Sequence, residues 1–132
     1  MKPGMEIGRQ ETIDIQVTAD MFASFEGDVV HPAYSTVAMV YHMEWVSRKI
    51  ILPFLEEHEE GMGAAVKLKH LAPSPLHSQV TLTATLIAYE NNQVITKVDA
   101  HNINGLIGVG EVKQVILPKT VIEEKLTVTR LE

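Results

Sequence analysis

The longest helical pattern in the chain is TVAMVYHMEWVSRKIIL, residues 36–52. At helical spacing one stripe carries Val37, Val40, Glu44, Ser47 and Ile51, and we expect this stripe to face the core. Burying an ionised carboxylate costs several kcal/mol unless it is paired or protonated. Glu44 is therefore the first candidate for a functional residue. The alternatives are a carboxylate at a dimer interface, or a helix rotated so that Glu44 reaches solvent.

The ends of this helix are marked by local signals. Ser35 or Thr36 can supply the N-cap, because a hydroxyl oxygen accepts a hydrogen bond from an unpaired backbone N–H of the first turn. Pro53 should end or kink the helix, since proline lacks the backbone donor and clashes with the preceding turn. Residues 19–35 are mixed in composition and predict a loop with a short helical turn.

The rest of the chain has the period-two alternation of strands. Asn91-Asn92 and Asn104-Gly105 are tight-hairpin signals between consecutive strands. The predicted strands are 11–17, 63–71, 79–89, 94–102, 106–117 and 121–131. A strand, one long helix and then several antiparallel strands predict an α+β domain, residues 1–132, whose meandering sheet covers the helix.

Composition excludes several classes of function. The 132 residues are 45% hydrophobic and 21% charged, as in an ordinary globular protein, and contain no cysteine for disulfides or thiolate chemistry. The formal net charge of −6 disfavours a nucleic-acid binder, although a local group of cations can still hold a phosphorylated small ligand. No apolar run approaches the length of a membrane span, and we expect a cytoplasmic protein with no membrane partner.

A set of ordered motifs extends over most of the chain. They are Gly4-Met5-Glu6-Ile7-Gly8, Thr36 through Met43-Glu44-Trp45 to Pro53-x-Leu55, Gly63-x-x-Val66-x-x-x-His70, Ala72-Pro73-x-Pro75, Ala100-His101 and Ile107-Gly108-x-Gly110. With these motifs the chain resembles the branch of hot-dog thioesterases that includes the fluoroacetyl-CoA-specific thioesterase. The resemblance implies a hot-dog fold, in which a curved antiparallel sheet wraps a long central helix.

The resemblance also implies an activity and a site. It places the catalytic residues at Thr36, Glu44 and His70, and a backbone amide that binds the thioester oxygen at Gly63. The implied reaction is hydrolysis of a small acyl-CoA thioester, with Glu44 as nucleophile or general base. We expect no metal, no cofactor other than coenzyme A as part of the substrate, and a homodimer or a dimer of dimers.

The residues themselves support part of this constellation. Alternation along the strand places His70 on the same side as Val66 and Leu68, facing the helix. Thr36 precedes Glu44 by eight residues, or about 12 Å along the helix axis, so Thr36 would act from the mouth of the site unless it is only an N-cap. The remaining histidines have no comparable neighbourhood in sequence: His31, His42, His58, His77 and His101.

Substrate contacts are expected from Gly63, Val30, Tyr34 and Gln114, and two of these depart from the family pattern. Gln114 stands where the family has an arginine, and Val30 aligns roughly with an aromatic residue that gates the pocket. We therefore do not predict fluoroacetyl-CoA as the substrate. One rival interpretation is a non-catalytic hot-dog module that binds an acyl thioester or another small apolar ligand. A hydratase is a weaker third reading, because its Asp-x4-His pattern is not evident.

Overall fold

Seven strands and two α-helices make up the part of the chain that the structure, a computed structural model, describes, residues 1–130. Short 3-10 turns lie at Ala19–Met21 and Leu52–Phe54. The other elements are β1 (Gln10–Gln16), β2 (Phe22–Phe25), β3 (Asp28–Tyr34), α1 (Thr36–Ile51), β4 (Glu59–His70), β5 (Gln79–Glu90), β6 (Gln93–Asn102), β7 (Gly105–Pro118) and α2 (Lys119–Arg130).

Five of the strands form one antiparallel sheet in the order β1-β5-β6-β7-β4. This confirms the strands predicted around residues 11–17, 63–71, 79–89, 94–102 and 106–117. Asn91 and Asn92 both have positive φ, 51° and 64°, as the tight turn between β5 and β6 requires. Because β4 lies at the edge of the sheet, one side of its backbone has no neighbouring strand among the described residues.

Helix α1 lies against the sheet and contacts all five of its strands. The architecture is the predicted α+β hot-dog fold, a long helix covered by an antiparallel sheet. Glycines on β7 allow the close approach of the helix. A Cβ on Gly108 would lie 2.5 Å from Sδ of Met39, and one on Gly110 would lie 2.5 Å from Sδ of Met43. The glycines of the Ile107-Gly108-x-Gly110 motif therefore form the surface of β7 against which α1 packs.

The prediction that the stripe from Val37 to Ile51 faces the core is wrong for the N-terminal half of α1. Val37 is 75% exposed and Glu44 is also exposed, whereas Ser47 and Ile51 are buried as expected. The helix instead buries a neighbouring stripe, which includes Met39, His42, Met43, Val46 and Ile50. Both stripes are apolar at helical spacing, and the second one buries the sheet side of the helix without desolvating a carboxylate.

The strand predicted at 121–131 is also wrong, since residues 119–130 form helix α2, and Leu131 lies outside the described residues. The alternating Thr and Val near its end imitate a strand. Glu123, Glu124 and Lys125 are better helix formers, and the hydroxyls of Thr127 and Thr129 donate to carbonyls one turn back.

Residues 19–35 are more ordered than the predicted loop. The expected short helical turn is present, but β2 and β3 follow it and pair as a separate hairpin. Ser35, directly after β3, is the N-cap of α1, because its Oγ accepts a hydrogen bond from the Ala38 amide at 3.0 Å. Within residues 1–130, neither helix has the length and hydrophobicity needed to cross a lipid bilayer.

Candidate active site

Thr36 and His70 meet at the N-terminal end of α1. The Thr36 Oγ1 atom lies 2.9 Å from Nδ1 of His70, a hydrogen bond between the first residue of the helix and the last residue of β4. Because Ser35 caps the helix, the Thr36 hydroxyl is not needed for that purpose. The strand alternation predicted for His70 is confirmed, since Val66 and Leu68 pack against the core while Lys67 and Lys69 are exposed.

The second ring nitrogen of His70 has no protein partner. Nε2 is the one buried side-chain nitrogen or oxygen within the described chain that makes no hydrogen bond. Burial lowers the pKa of His70 below its usual value, and the nearby Ala72 backbone opposes that effect only in part. The imidazole is therefore neutral near pH 7, with Nδ1 held by Thr36 and Nε2 without a hydrogen-bond partner among the described residues.

A second pair, Tyr34 and His42, adjoins this one; Tyr34 was expected to contact substrate, whereas His42 was not expected to have a function. The hydroxyl of Tyr34 is 2.7 Å from Nδ1 of His42, and both residues are buried. The Tyr34 ring stacks on His42 and meets the His70 ring edge to face, with centroids 6.3 Å apart. His42 was grouped with the histidines that lack a functional neighbourhood. Its position on the same helical face as Met39 and Met43 could have predicted that His42 is buried.

Glu44 lies further along the helix, away from Thr36 and His70. Its Oε1 is near Gly63 on β4, at 3.5 Å from the position that a Cβ on that glycine would take. Thr36 and Glu44 are about 12 Å apart along the helix axis, because eight residues rise 1.5 Å each. One copy of the chain thus brings together Thr36 with His70, and Glu44 with Gly63, but not all four residues.

Two adjoining cavities open near the start of α1. One, of about 490 Å³, is lined by Thr36, His70 and Tyr34 among others. The other, of about 570 Å³, lies under the β2–β3 hairpin and is lined by residues that include Thr36 and His42. Thr36 and Ser35 line both cavities, so a ligand bound at the Thr36 hydroxyl can extend into either.

The two positions that depart from the family pattern differ in their surroundings. Gln114 is buried on β7, and its Nε2 donates to the backbone carbonyl of Ser47 at 3.1 Å, which ties the sheet to the helix. Val30 is 53% exposed on β3. Neither residue is among those that line the two cavities beside Thr36.

These groups are suited to acid–base chemistry on a carbonyl substrate. A neutral imidazole with a free nitrogen can donate to or accept from a reacting oxygen, and a carboxylate can take a proton from water or attack carbon. The hydroxyl of Thr36 fixes the imidazole ring through Nδ1 and lies at the junction of the two cavities.

Comparison with known proteins gives one family. Residues 17–120 match the model of a family described as fluoroacetyl-CoA-specific thioesterase (FlK). The match includes Thr36, Glu44, Gly63 and His70, and it extends over more than half of the chain.

Individual relatives agree with this match. The fluoroacetyl-CoA thioesterase of Streptantibioticus cattleyicolor is 30% identical in an alignment of 128 positions that covers 89% of this chain and 88% of the relative. A crystal structure of a thioesterase superfamily member from Thermus thermophilus is 42% identical, with a TM-score of 0.93 over 97% of this chain and 95% of its own. A crystal structure of a mutant of the fluoroacetyl-CoA-specific thioesterase is 28% identical, with a TM-score of 0.88 over 97% of this chain and 99% of its own.

Proposed function

Because the chain belongs to the fluoroacetyl-CoA-specific thioesterase family and is an acyl-CoA thioesterase, we propose that it hydrolyses a small acyl-CoA with Glu44, His70 and Thr36 as its catalytic residues. The observation that carries this assignment is the hydrogen bond between Thr36 and His70, which leaves Nε2 of His70 buried and without a protein partner. A buried polar atom without a partner is costly, and a substrate, water or carboxylate that satisfies it gains that free energy on binding.

In the proposed reaction the carboxylate of Glu44 takes a proton from a water molecule as the water oxygen bonds to the thioester carbon. The carbonyl oxygen becomes negative, and the Gly63 amide and an N–H of His70 stabilise it. When the carbon–sulfur bond breaks, coenzyme A leaves as a thiolate and receives the proton, and the acyl group leaves as the free acid. In the alternative route Glu44 itself attacks the carbon and the carbon–sulfur bond breaks, so that coenzyme A leaves as a thiolate; water then hydrolyses the resulting mixed anhydride to the free acid and the Glu44 carboxylate.

This reaction needs Glu44 close to His70, and two copies of the chain can provide that proximity. Strand β4 is at the sheet edge, and it carries both Gly63 beside Glu44 and His70 at its end. If two β4 strands pair antiparallel about a two-fold axis between Val66 and Lys67, Gly63 of one copy lies opposite His70 of the other. Strands paired in this way are about 4.8 Å apart, so Glu44 of one copy approaches Nε2 of His70 of the other.

The surface around this edge favours such a homodimer. The residues of β4 at Gly63, Ala64 and Ala65 are small and exposed, which allows a second backbone to approach. On the adjoining helix α1 the apolar residues Val37 and Tyr41 are 75% and 65% exposed. Burial of these groups against a second copy would remove apolar surface from water and satisfy the open edge.

The test is hydrolysis of a panel of short acyl-CoA thioesters, followed through the released thiol. We compare the wild type with Glu44→Ala, and we expect the variant to lose activity by about 1,000-fold, the scale of general acid–base catalysis. Glu57→Ala is the matched control, because this exposed carboxylate lies in the loop after the helix.

Equal rates for the wild type and Glu44→Ala on every substrate would refute the catalytic role of Glu44. Binding of acyl-CoA by the wild type without any turnover would instead support the rival interpretation, a non-catalytic module that uses the same groove. The control variant excludes a general effect of lost negative charge, because Glu57→Ala changes the net charge by the same amount.

A further inference from the structure

The buried pair Tyr34 and His42 lies where the two cavities adjoin. Tyr34 lines the cavity that contains His70, whereas His42 lines the cavity under the β2–β3 hairpin. We propose that His42, oriented by Tyr34, selects acyl groups that carry an uncharged oxygen, a hydroxyl or a keto group, on the chain beyond the thioester carbonyl. This inference rests on the assignment of Thr36 and His70 to the reacting end of the substrate.

In the proposed arrangement the Tyr34 hydroxyl donates to Nδ1 of His42, which sets the tautomer of the imidazole. Burial raises the pKa of the Tyr34 hydroxyl well above its usual value, so Tyr34 keeps its proton. The acceptor within hydrogen-bond distance of that hydroxyl is Nδ1 of His42, at 2.7 Å. Burial lowers the pKa of His42, which keeps the imidazole neutral. A neutral ring that accepts at Nδ1 carries its hydrogen on Nε2 and presents a donor there.

The shared cavity places this donor near the reacting end of a short acyl chain. Thr36 and His42 both line the cavity under the β2–β3 hairpin. The Tyr34 ring contacts both imidazoles, with its centroid 5.7 Å from that of His42 and 6.3 Å from that of His70. An acyl group held at Thr36 and His70 can therefore extend toward His42, which suits an oxygen on its third or fourth carbon.

The charge around the cavity argues for an uncharged oxygen. Asp20 also lines the cavity under the hairpin, and the hydrogen bond from the Thr18 hydroxyl lowers the pKa of its carboxyl. Asp20 is thus ionised near pH 7 and repels an acyl group that ends in a carboxylate. The wall also contains the apolar side chains of Met21 and Phe22 and the polar side chains of Ser24, His31 and Tyr41, and none of the residues that line it is a lysine or an arginine.

The experiment compares kcat/KM for four thioesters of matched length: butyryl-CoA, 3-hydroxybutyryl-CoA, 4-hydroxybutyryl-CoA and succinyl-CoA. For the wild type we expect the better hydroxyacyl substrate to exceed butyryl-CoA by about fivefold, and succinyl-CoA to be the slowest. His42→Leu should lower the ratio of hydroxyacyl to butyryl activity by roughly tenfold. Tyr34→Phe keeps the ring but frees the proton of His42, and should lower the ratio by about threefold.

His101→Leu is the control, since His101 is exposed on β6 and is not among the residues lining either cavity, and its ratio should equal that of the wild type. The inference is overturned if wild type hydrolyses butyryl-CoA as fast as both hydroxyacyl substrates, or if His42→Leu leaves the ratio unchanged. If the wild type hydrolyses none of the four thioesters or other short acyl-CoAs, the proposed function fails as well. If His42→Leu does not fold, the ratio of hydroxyacyl to butyryl activity in the wild type and in Tyr34→Phe still tests the inference.

Discussion

The two ends of the candidate site differ in how completely one copy of the chain builds them. At the histidine end, formed by Thr36, Tyr34, His42 and His70, two hydrogen bonds hold the side chains, and Tyr34 and His42 are buried. At the carboxylate end, Glu44 is exposed beside Gly63 on an edge strand. The first end is pre-organised within one chain, and the second lies at an open strand edge, as the proposed shared site requires.

This difference suggests a division of labour. The imidazole of His70 and the Thr36 hydroxyl that orients it are held within one chain, because their hydrogen bond does not depend on a second copy. A carboxylate near neutral donors becomes most reactive when water is excluded, and closing the site with a second copy would do that. The two variants and the pH profile below probe the histidine end, and the mixed dimers probe whether the two ends meet.

At the histidine end, the largest effect is expected from His70→Asn. The asparagine amide can take the place of Nδ1 beside Thr36, but nothing replaces Nε2. We expect kcat to fall by about 100-fold, the scale of a lost donor in the transition state, with little change in melting temperature. Steady-state kinetics together with thermal unfolding measures both. A loss of less than threefold would show that Nε2 has no role at the reacting atoms.

A smaller effect is expected from Thr36→Val, which removes the hydroxyl and keeps the shape. His70 retains Nε2 but loses the bond that orients its ring, so we expect kcat to fall by about tenfold. Ser35→Ala is the contrasting variant, because it removes the N-cap and should lower stability by about 1 kcal/mol with less effect on kcat. If Thr36→Val lowers stability and leaves kcat unchanged, Thr36 is a structural residue.

The smallest effect is expected in the pH profile. Burial lowers the pKa of His70, so the neutral form persists below the usual histidine pKa of 6.5. We expect kcat/KM to remain nearly constant as pH falls through 6.5, and to decline only at the lower pKa of His70. The unfolded chain protonates His70 and His42 first, so stability should also fall with acidification below about 6.5. A midpoint of kcat/KM above 6.5 would contradict a shielded, neutral His70.

The sequence predicted the histidine end in part. Alternation placed His70 on the inner face of β4, and helical rise separated Thr36 from Glu44, and both statements agree with the structure. The hydrogen bond of Thr36 could not be predicted, because Ser35 and Thr36 offer the same capping chemistry and only the entry angle of the chain decides between them.

Other features depended on tertiary contacts that periodicity does not encode. Two apolar stripes run along α1, and the glycines at 108 and 110 select the one that contains Met39 and Met43. The same choice buries His42 against Tyr34 and exposes Glu44. Residues 119–130 alternate like a strand near their end, yet in the structure they form a helix directly after β7.

The most direct test of a site shared between two copies is to mix two inactive variants, Glu44→Ala and His70→Ala. If Glu44 of one copy serves His70 of the other, each mixed dimer has one intact site and one site that lacks both groups. Mixing equal amounts after reversible dissociation should restore about a quarter of wild-type activity, since half of the dimers are mixed and each has one of two sites.

The account predicts this recovery for a dimer verified by light scattering, and no recovery when either variant is mixed with itself. If the mixed sample remains as inactive as its components while tagged subunits show that mixed dimers have formed, Glu44 and His70 act within one chain. That result would contradict the proposal that β4 edges join the two ends of the site.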